Sequence, residues 1–297
     1  MLASPVGGNP AQYMIEKAFA FHDLDWRYLT FEVAPADLDN AMRGLRALGF
    51  CGVHCGDPHK QAIIPLLDRT TETAAIIGIV NFVFRQNAEW IGENTEGRGI
   101  VETIAASLDV VGKRAIVLGA GRVGRAVAVE LAAAGVAGLT IVDRKEERAA
   151  ELAALLTDKY GSLLKKRTGS EPAGEKAAED SGHEASVPSF SALPWTGDFA
   201  VPVEAELLVH ATSLGHRSDN VPLPLDLETL RPELFVADVA VGAPQTWLLN
   251  EAAQRGCKTA DGLSMFIHQV AIGFRQWTGV DPDRQVLREA VEEFWEL

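Results

Sequence analysis

The chain has 297 residues, enough for two domains that each bury a core. Its 27 basic and 41 acidic residues leave a net charge of −14, which argues against nonspecific binding to nucleic acid or an anionic membrane and allows only a local basic pocket. No apolar run reaches membrane-spanning length, the opening "MLASPVGGNP" lacks a signal-peptide core, and three sparse cysteines (Cys51, Cys55, Cys257) make no disulfide framework, so a soluble cytoplasmic protein is expected.

In chain order, "DWRYLTFEV" alternates like a strand, "PADLDNAMRGLRALG" is an amphipathic helix and "CGVHC" a short strand. "HKQAIIPLLD" opens a helix after a proline turn, and "AIIGIVNFVFRQNAEWIGEN" points to a hairpin. The strongest order follows. "KRAIVLGAGRVGRAVAVELAAAG" is a strand, a glycine turn and a helix; "LTIVDR" is a second strand and "KEERAAELAALL" a second helix. Strands are expected again in "AELLVHATS", "ELFVADVA" and near "CKTADG", and the tail forms two helices that return to the first domain. Strands alternating with helices predict an α/β protein with a parallel sheet. The expected division is 1–103 plus 264–297 for an N-terminal α/β substrate domain, and 104–263 for a Rossmann-type dinucleotide-binding domain. Residues 161–186, rich in Gly, Ser, Glu and Lys, have too little apolar surface to repay ordering and are expected to form a mobile insertion.

Gly119, Ala120, Gly121, Arg122, Val123 and Gly124 spell G-x-G-x-x-G between a strand and a helix, and Asp143 follows 19 residues beyond Gly124. That context fits a nicotinamide dinucleotide: glycines for the turn, the pyrophosphate approach and helix packing, and an acid for the ribose. Asp143 favours NAD, whereas Arg144, Lys145 and Arg148 offer charge for the extra phosphate of NADP, so the sequence leaves that choice open. His54, Cys55, Asp57 and His59 could each ligate a metal, but they crowd one turn without a recognised ligand spacing and beside Lys60, and no metal is expected.

Taken in order, "LDWRYLTFEV", "MRGLRALGFCGV", "PHKQAIIPLLD", "AIIGIVNFV", "IGENTEGRG", the glycine loop, "VHATSLG", "VADVAVGAPQTWLL" and "DGLSMFIHQVAIGFRQWTG" resemble the shikimate dehydrogenase family over all but the insertion. The resemblance implies hydride exchange between nicotinamide and shikimate, quinate or a related hydroxylated carbocyclic acid. Lys60 and Glu96, the latter standing in "NTEG" where the family has aspartate, are the implied proton-handling pair. It also implies substrate contacts for Asn81 and Gln269, and cofactor contacts for Ala211, Thr212, Ser213, Val239, Gly262 and Met265.

Most departures fall on the substrate side, although the asparagine that the family has before the cofactor-side Ala-Thr-Ser is His210 here. The family's S-x-S becomes Asn9 and Ala11, and its "NVTIPHK" becomes "HCGDPHK", placing His54 and Gly56 where Asn and Thr are usual. Asn9 and His54 are kept as candidate substrate contacts. A divergent enzyme is therefore expected, with a cofactor-binding protein that has lost turnover as the alternative. A monomer and a homodimer fit equally.

Overall fold

The computed structural model describes residues 1–168, 189–214, 221–242 and 245–296. Contacts divide the chain into two compact units. The first holds Met1–Thr103, a short segment from Val241 and everything from Asp261 onward; the second holds Ile104–Ala240 and Gln245–Ala260.

In the first unit β1 (Leu2–Ala3) precedes α1 (Ala11–Phe21), whose Met14, Ile15, Ala18 and Phe19 form one buried stripe. β2 (Phe31–Glu32) pairs parallel with β1. The strand expected across "DWRYLTFEV" shortens to these two residues because β1 offers only two partners. α2 (Leu38–Ala47) buries Leu38, Met42 and Leu45, and β3 (Gly52–His54) follows. The helix expected from His59 is α3 (His59–Ala62), giving way to a 3₁₀ turn at Ile64–Leu66 where Pro65 lacks an N–H to continue it. After β4 (Arg69–Thr70), α4 (Glu72–Ile77) takes part of the segment expected as a hairpin, capped by Thr71 and ended by Gly78 at φ +72°. The hairpin arms are β5 (Phe82–Gln86) and β6 (Glu89–Glu93), joined by a two-residue turn with Asn87 at φ +56°. The sheet order is β3-β5-β6-β4, and α5 (Thr95–Ala105) leaves its end.

The second unit is a six-stranded parallel sheet of order β12-β11-β10-β7-β8-β9. Its strands and helices are β7 (Arg114–Leu118), α6 (Arg122–Ala133), β8 (Gly138–Asp143), α7 (Glu146–Thr168), β9 (Ser189–Pro194), β10 (Leu207–His210), β11 (Phe235–Asp238), α8 (Trp247–Gln254) and β12 (Lys258–Ala260). Strand order reverses between β7 and β10, which opens a crevice at their carboxyl ends. α7 runs to Thr168, so the first residues of the expected insertion are helical; its remainder, 169–186, lies outside the described residues. β9 has no counterpart among the strands expected from sequence.

The chain then re-enters the first unit as α9 (Gly262–Thr278) and α10 (Arg284–Trp295). Leu263, Ile267, Val270, Phe274, Leu287 and Val291 share one core with α1. That division assigns Asp261, Gly262 and Leu263 to the first unit, slightly earlier than the expected boundary at 264. Among the described residues no helix is long and apolar enough to cross a membrane.

Candidate functional site

The turn between β3 and α3 contains a cis Asp57–Pro58 peptide. His59 is fully buried, and its Nε2 lies 2.8 Å from the Val33 carbonyl. The Lys60 carbonyl accepts the Val80 N–H at 2.8 Å, which ties this first helical turn to the segment leading into β5. Lys60 Nζ reaches Glu96 Oε1 at 2.5 Å, with both side chains about one-fifth exposed at 21% and 18%. The pair is sheltered yet open to a small molecule, and the ammonium is held by a charge-assisted hydrogen bond.

Glu96 stands in the first turn of α5, where the helix dipole favours a carboxylate. Asn94, fully buried, supplies the cap: its Oδ1 accepts the Glu96 and Gly97 N–H groups at 3.1 and 3.2 Å, and its Nδ2 donates to the Ile79 carbonyl at 3.2 Å. Asn81 and Thr95 bond reciprocally, Nδ2 to Oγ1 at 2.9 Å and Thr95 N–H to Oδ1 at 2.7 Å. These two clasps fix the direction from which Glu96 meets Lys60. Sequence reasoning missed Asn94 and Thr95; an Asn before Thr-Glu-Gly at a helix start is the signal that points to them.

Gln269 reaches this region on α9. A Cβ added at Gly99 would stand 2.8 Å from both the Gln269 nitrogen and the Met265 carbonyl, so α5 and α9 meet backbone to backbone there. Gly262 opens α9 and Met265 is buried on it. Both belong to the first unit.

Asn9 is exposed and uses its Oδ1 to accept the Ala11 N–H at 2.9 Å, ahead of α1. His54 lies in an aromatic cluster, its ring centroid 4.9 Å from that of Trp277 and 5.2 Å from that of Phe82. Its Nδ1 is 2.6 Å from the Tyr28 hydroxyl. Burial, with the charges of the chain's amino terminus and Lys60 added, lowers the His54 pKa to about 3. The ring is therefore neutral, Tyr28 donates to Nδ1, and burial raises the Tyr28 pKa above its ordinary value. Gly56 leaves room for β1: a Cβ there would meet that of Ala3 at 2.8 Å. Among the described residues no three metal-ligating side chains converge.

In the second unit a cavity of about 690 Å³ opens at the strand-order reversal. Its walls are Gly119, Gly121, Arg122 and Val123, then Asp143, Arg144, Lys145 and Arg148, then Trp195, Ala211, Thr212 and Ser213. Gly119 has φ +111°, and a Cβ on it would lie 2.8 Å from the Ala211 carbonyl. A Cβ on Gly121 would meet nothing within 4 Å, so its bare backbone leaves the cavity free for a phosphate. α6 begins here, with first-turn amides that have no carbonyl partner within the helix. The residues present thus fit a dinucleotide.

Asp143 is less available than its spacing implies. Its Oδ2 accepts the Ala120 N–H at 2.7 Å and its Oδ1 the Lys145 N–H at 2.8 Å, so the carboxylate braces the glycine turn. Trp195, which sequence reasoning missed, follows β9 and donates its backbone N–H to the Asp143 carbonyl at 2.9 Å. Val239 is buried behind β11, its N–H on the His210 carbonyl at 3.1 Å.

Comparison with known proteins agrees along the whole chain. Residues 1–83 match the shikimate dehydrogenase substrate binding domain, 100–166 match shikimate / quinate 5-dehydrogenase, and 262–292 match the shikimate 5'-dehydrogenase C-terminal domain. A shikimate dehydrogenase (NADP(+)) from Desulforamulus reducens is 34% identical over 97% of this chain and 93% of its own. Among solved structures, ligand-free 5-ketofructose reductase of Gluconobacter sp. strain CHM43 superposes with a TM-score of 0.86 at 34% identity, covering 98% of this chain and 96% of that one. Shikimate 5-dehydrogenase of Thermus thermophilus, in complex with NADP(H) and shikimate, gives 0.75 at 29% identity over 99% and 97%.

Proposed function

The chain belongs to the shikimate dehydrogenase family, and on that premise we propose that it interconverts a small hydroxylated carbocyclic acid of the shikimate type and its ketone. It is an NAD(P)-dependent oxidoreductase acting on a CH–OH group. The glycine turn, with Arg144, Lys145, Arg148 and Thr212, would hold the nicotinamide dinucleotide, whose chemistry there would be to take or give the hydride. In the oxidising direction the neutral amine of Lys60 takes the hydroxyl proton as the C–H bond yields its hydride, and in the reducing direction the ammonium so formed returns that proton to the carbonyl oxygen. Glu96 orients the amine and balances its charge. The observation that carries this reading is the 2.5 Å Lys60–Glu96 contact, held by the Asn94 and Asn81 clasps.

NADP(H) is the proposed cofactor, and the cytoplasm the proposed location. Asp143 divides its charge between two backbone N–H groups, while Arg144, Lys145 and Arg148 line the same cavity with positive charge suited to a 2′-phosphate.

A second substrate reading has its own support. Asn9 spends its oxygen on a helix start, Gly56 contributes no side chain, and the chain is similar to a 5-ketofructose reductase. An uncharged polyhydroxy ketone is the substrate class that combination favours.

One assay addresses all of this: reduced-nicotinamide turnover with shikimate, quinate and 5-ketofructose, each with NAD(H) and NADP(H), for the native chain and Lys60→Ala. The expected loss in Lys60→Ala is about 10²- to 10⁴-fold in kcat. A variant retaining more than a tenth of native activity would remove Lys60 from proton transfer, and faster turnover with NAD(H) would overturn the cofactor assignment. Cofactor binding without turnover of any compound would favour a binding protein.

A further inference from the structure

His210 ends β10 and Asp238 ends β11, and the two are register partners on adjacent parallel strands. They are buried, at 1% and 2% exposure. His210 Nδ1 stands 3.2 Å from Asp238 Oδ1, and its Nε2 stands 2.7 Å from Thr212 Oγ1. Asp238 also accepts the Thr246 hydroxyl at 2.8 Å and the Ala240 N–H at 3.1 Å. Desolvation opposes charge on Asp238, but these donors outweigh it and hold the carboxyl below its ordinary pKa. A carboxylate only accepts, so Nδ1 presents its proton to Asp238, while Nε2 shares a hydrogen bond with the Thr212 hydroxyl.

Thr212 in turn accepts the Leu214 N–H at 3.1 Å. With the hydroxyl engaged inward, the methyl lies against the glycine turn, where a Cβ on Gly119 would be 2.8 Å from Thr212 Cγ2. Thr212 thus spans a buried charge on one side and the wall of the dinucleotide cavity on the other. A histidine that served packing alone would need neither a carboxylate behind it nor a cavity-wall hydroxyl before it.

We propose that Asp238, His210 and Thr212 form a positioning relay that holds residues 211–214, directly after β10, in the shape the dinucleotide requires, and thereby sets cofactor affinity. The proposal rests on the dinucleotide reading of this cavity and is independent of which alcohol is oxidised.

The test is titration of the full chain with NADPH and with NADH, followed by nucleotide fluorescence, alongside thermal midpoints. Thr212→Val keeps the shape and removes the hydroxyl; about a 5- to 20-fold rise in Kd is expected, the scale of one buried hydrogen bond. Thr212→Ser is expected within about twofold of native. His210→Phe should weaken binding as Thr212→Val does, and the double variant should be no weaker than the weaker single, because both cut the same connection. Native-like affinity in Thr212→Val, a Thr212→Ser as weak as Thr212→Val, or additive losses in the double variant would each overturn the relay. Should His210→Phe fail to fold, the two Thr212 variants still decide. A native chain that binds neither nucleotide would sink the dinucleotide reading itself, an outcome distinct from native binding that survives Thr212→Val.

Discussion

At the scale of single residues, the structure separates side chains that share a short stretch of sequence. Lys60 faces Glu96, His59 turns to a backbone carbonyl and His54 enters an aromatic cluster. The His54 placement has a pH signature. Its folded pKa of about 3 lies below the unfolded value of 6.5, so between these values the unfolded chain binds the extra proton. Stability from this group is complete above pH 6.5 and is lost as pH falls toward 3. Its greatest contribution to the slope is about 1.4 kcal/mol per pH unit. Urea midpoints at pH 4, 5 and 6 should therefore fall less steeply for His54→Asn than for the native chain; parallel curves would show that His54 titrates normally when folded. Lys60 and Glu96 can be paired from sequence only through a family pattern, because they are 36 residues apart and nothing local joins them. Asp143 shows the converse: its spacing from the glycines is legible, but its two backbone partners appear only once the turn is folded.

Among elements, α5 matters most to the proposed chemistry because its first turn carries Glu96. Its start rests on Asn94, which accepts two otherwise unpaired N–H groups. Asn94→Ala removes that cap and leaves the Ile79 carbonyl without its donor; a cost of about 1–2 kcal/mol is expected. Glu96 loses its fixed approach to Lys60 at the same time, so kcat should fall about tenfold even where the variant is fully folded. A lower urea midpoint with native kcat would separate the cap from the site. The elements most legible in sequence are those with a strict period and clear punctuation: β7, α6, β8 and the two C-terminal helices. β2 is shorter than its alternation implies because its partner strand ends, and β9 is hard to read because "SFSALP" carries little apolar weight and most of it is exposed. α3 stops short of its apolar pattern at Pro65, whereas α7 continues past the point where composition turns polar.

For the whole molecule, two-unit organisation follows from the order of motifs, whereas the close approach of α5 and α9 does not. That approach joins residues about 170 positions apart and depends on a glycine. At Gly99 a methyl group would meet backbone atoms of α9, which cannot move aside as a flexible side chain can. Gly99→Ala should therefore destabilise the first unit by about 1–3 kcal/mol, read as a lowered calorimetric midpoint. An unchanged midpoint would mean that the helices have room there.

The interrupted composition of the first unit also orders events during synthesis. The ribosome releases β1 through α5 well before α9 and α10, and the core that α1 shares with those helices lacks more than half of its buried side chains until then. The second unit is continuous apart from one short excursion, so it can close while its predecessor still waits. A nascent chain stalled before Gly262 would expose the apolar face of α1, so the arrival of the last helices is the step that covers it.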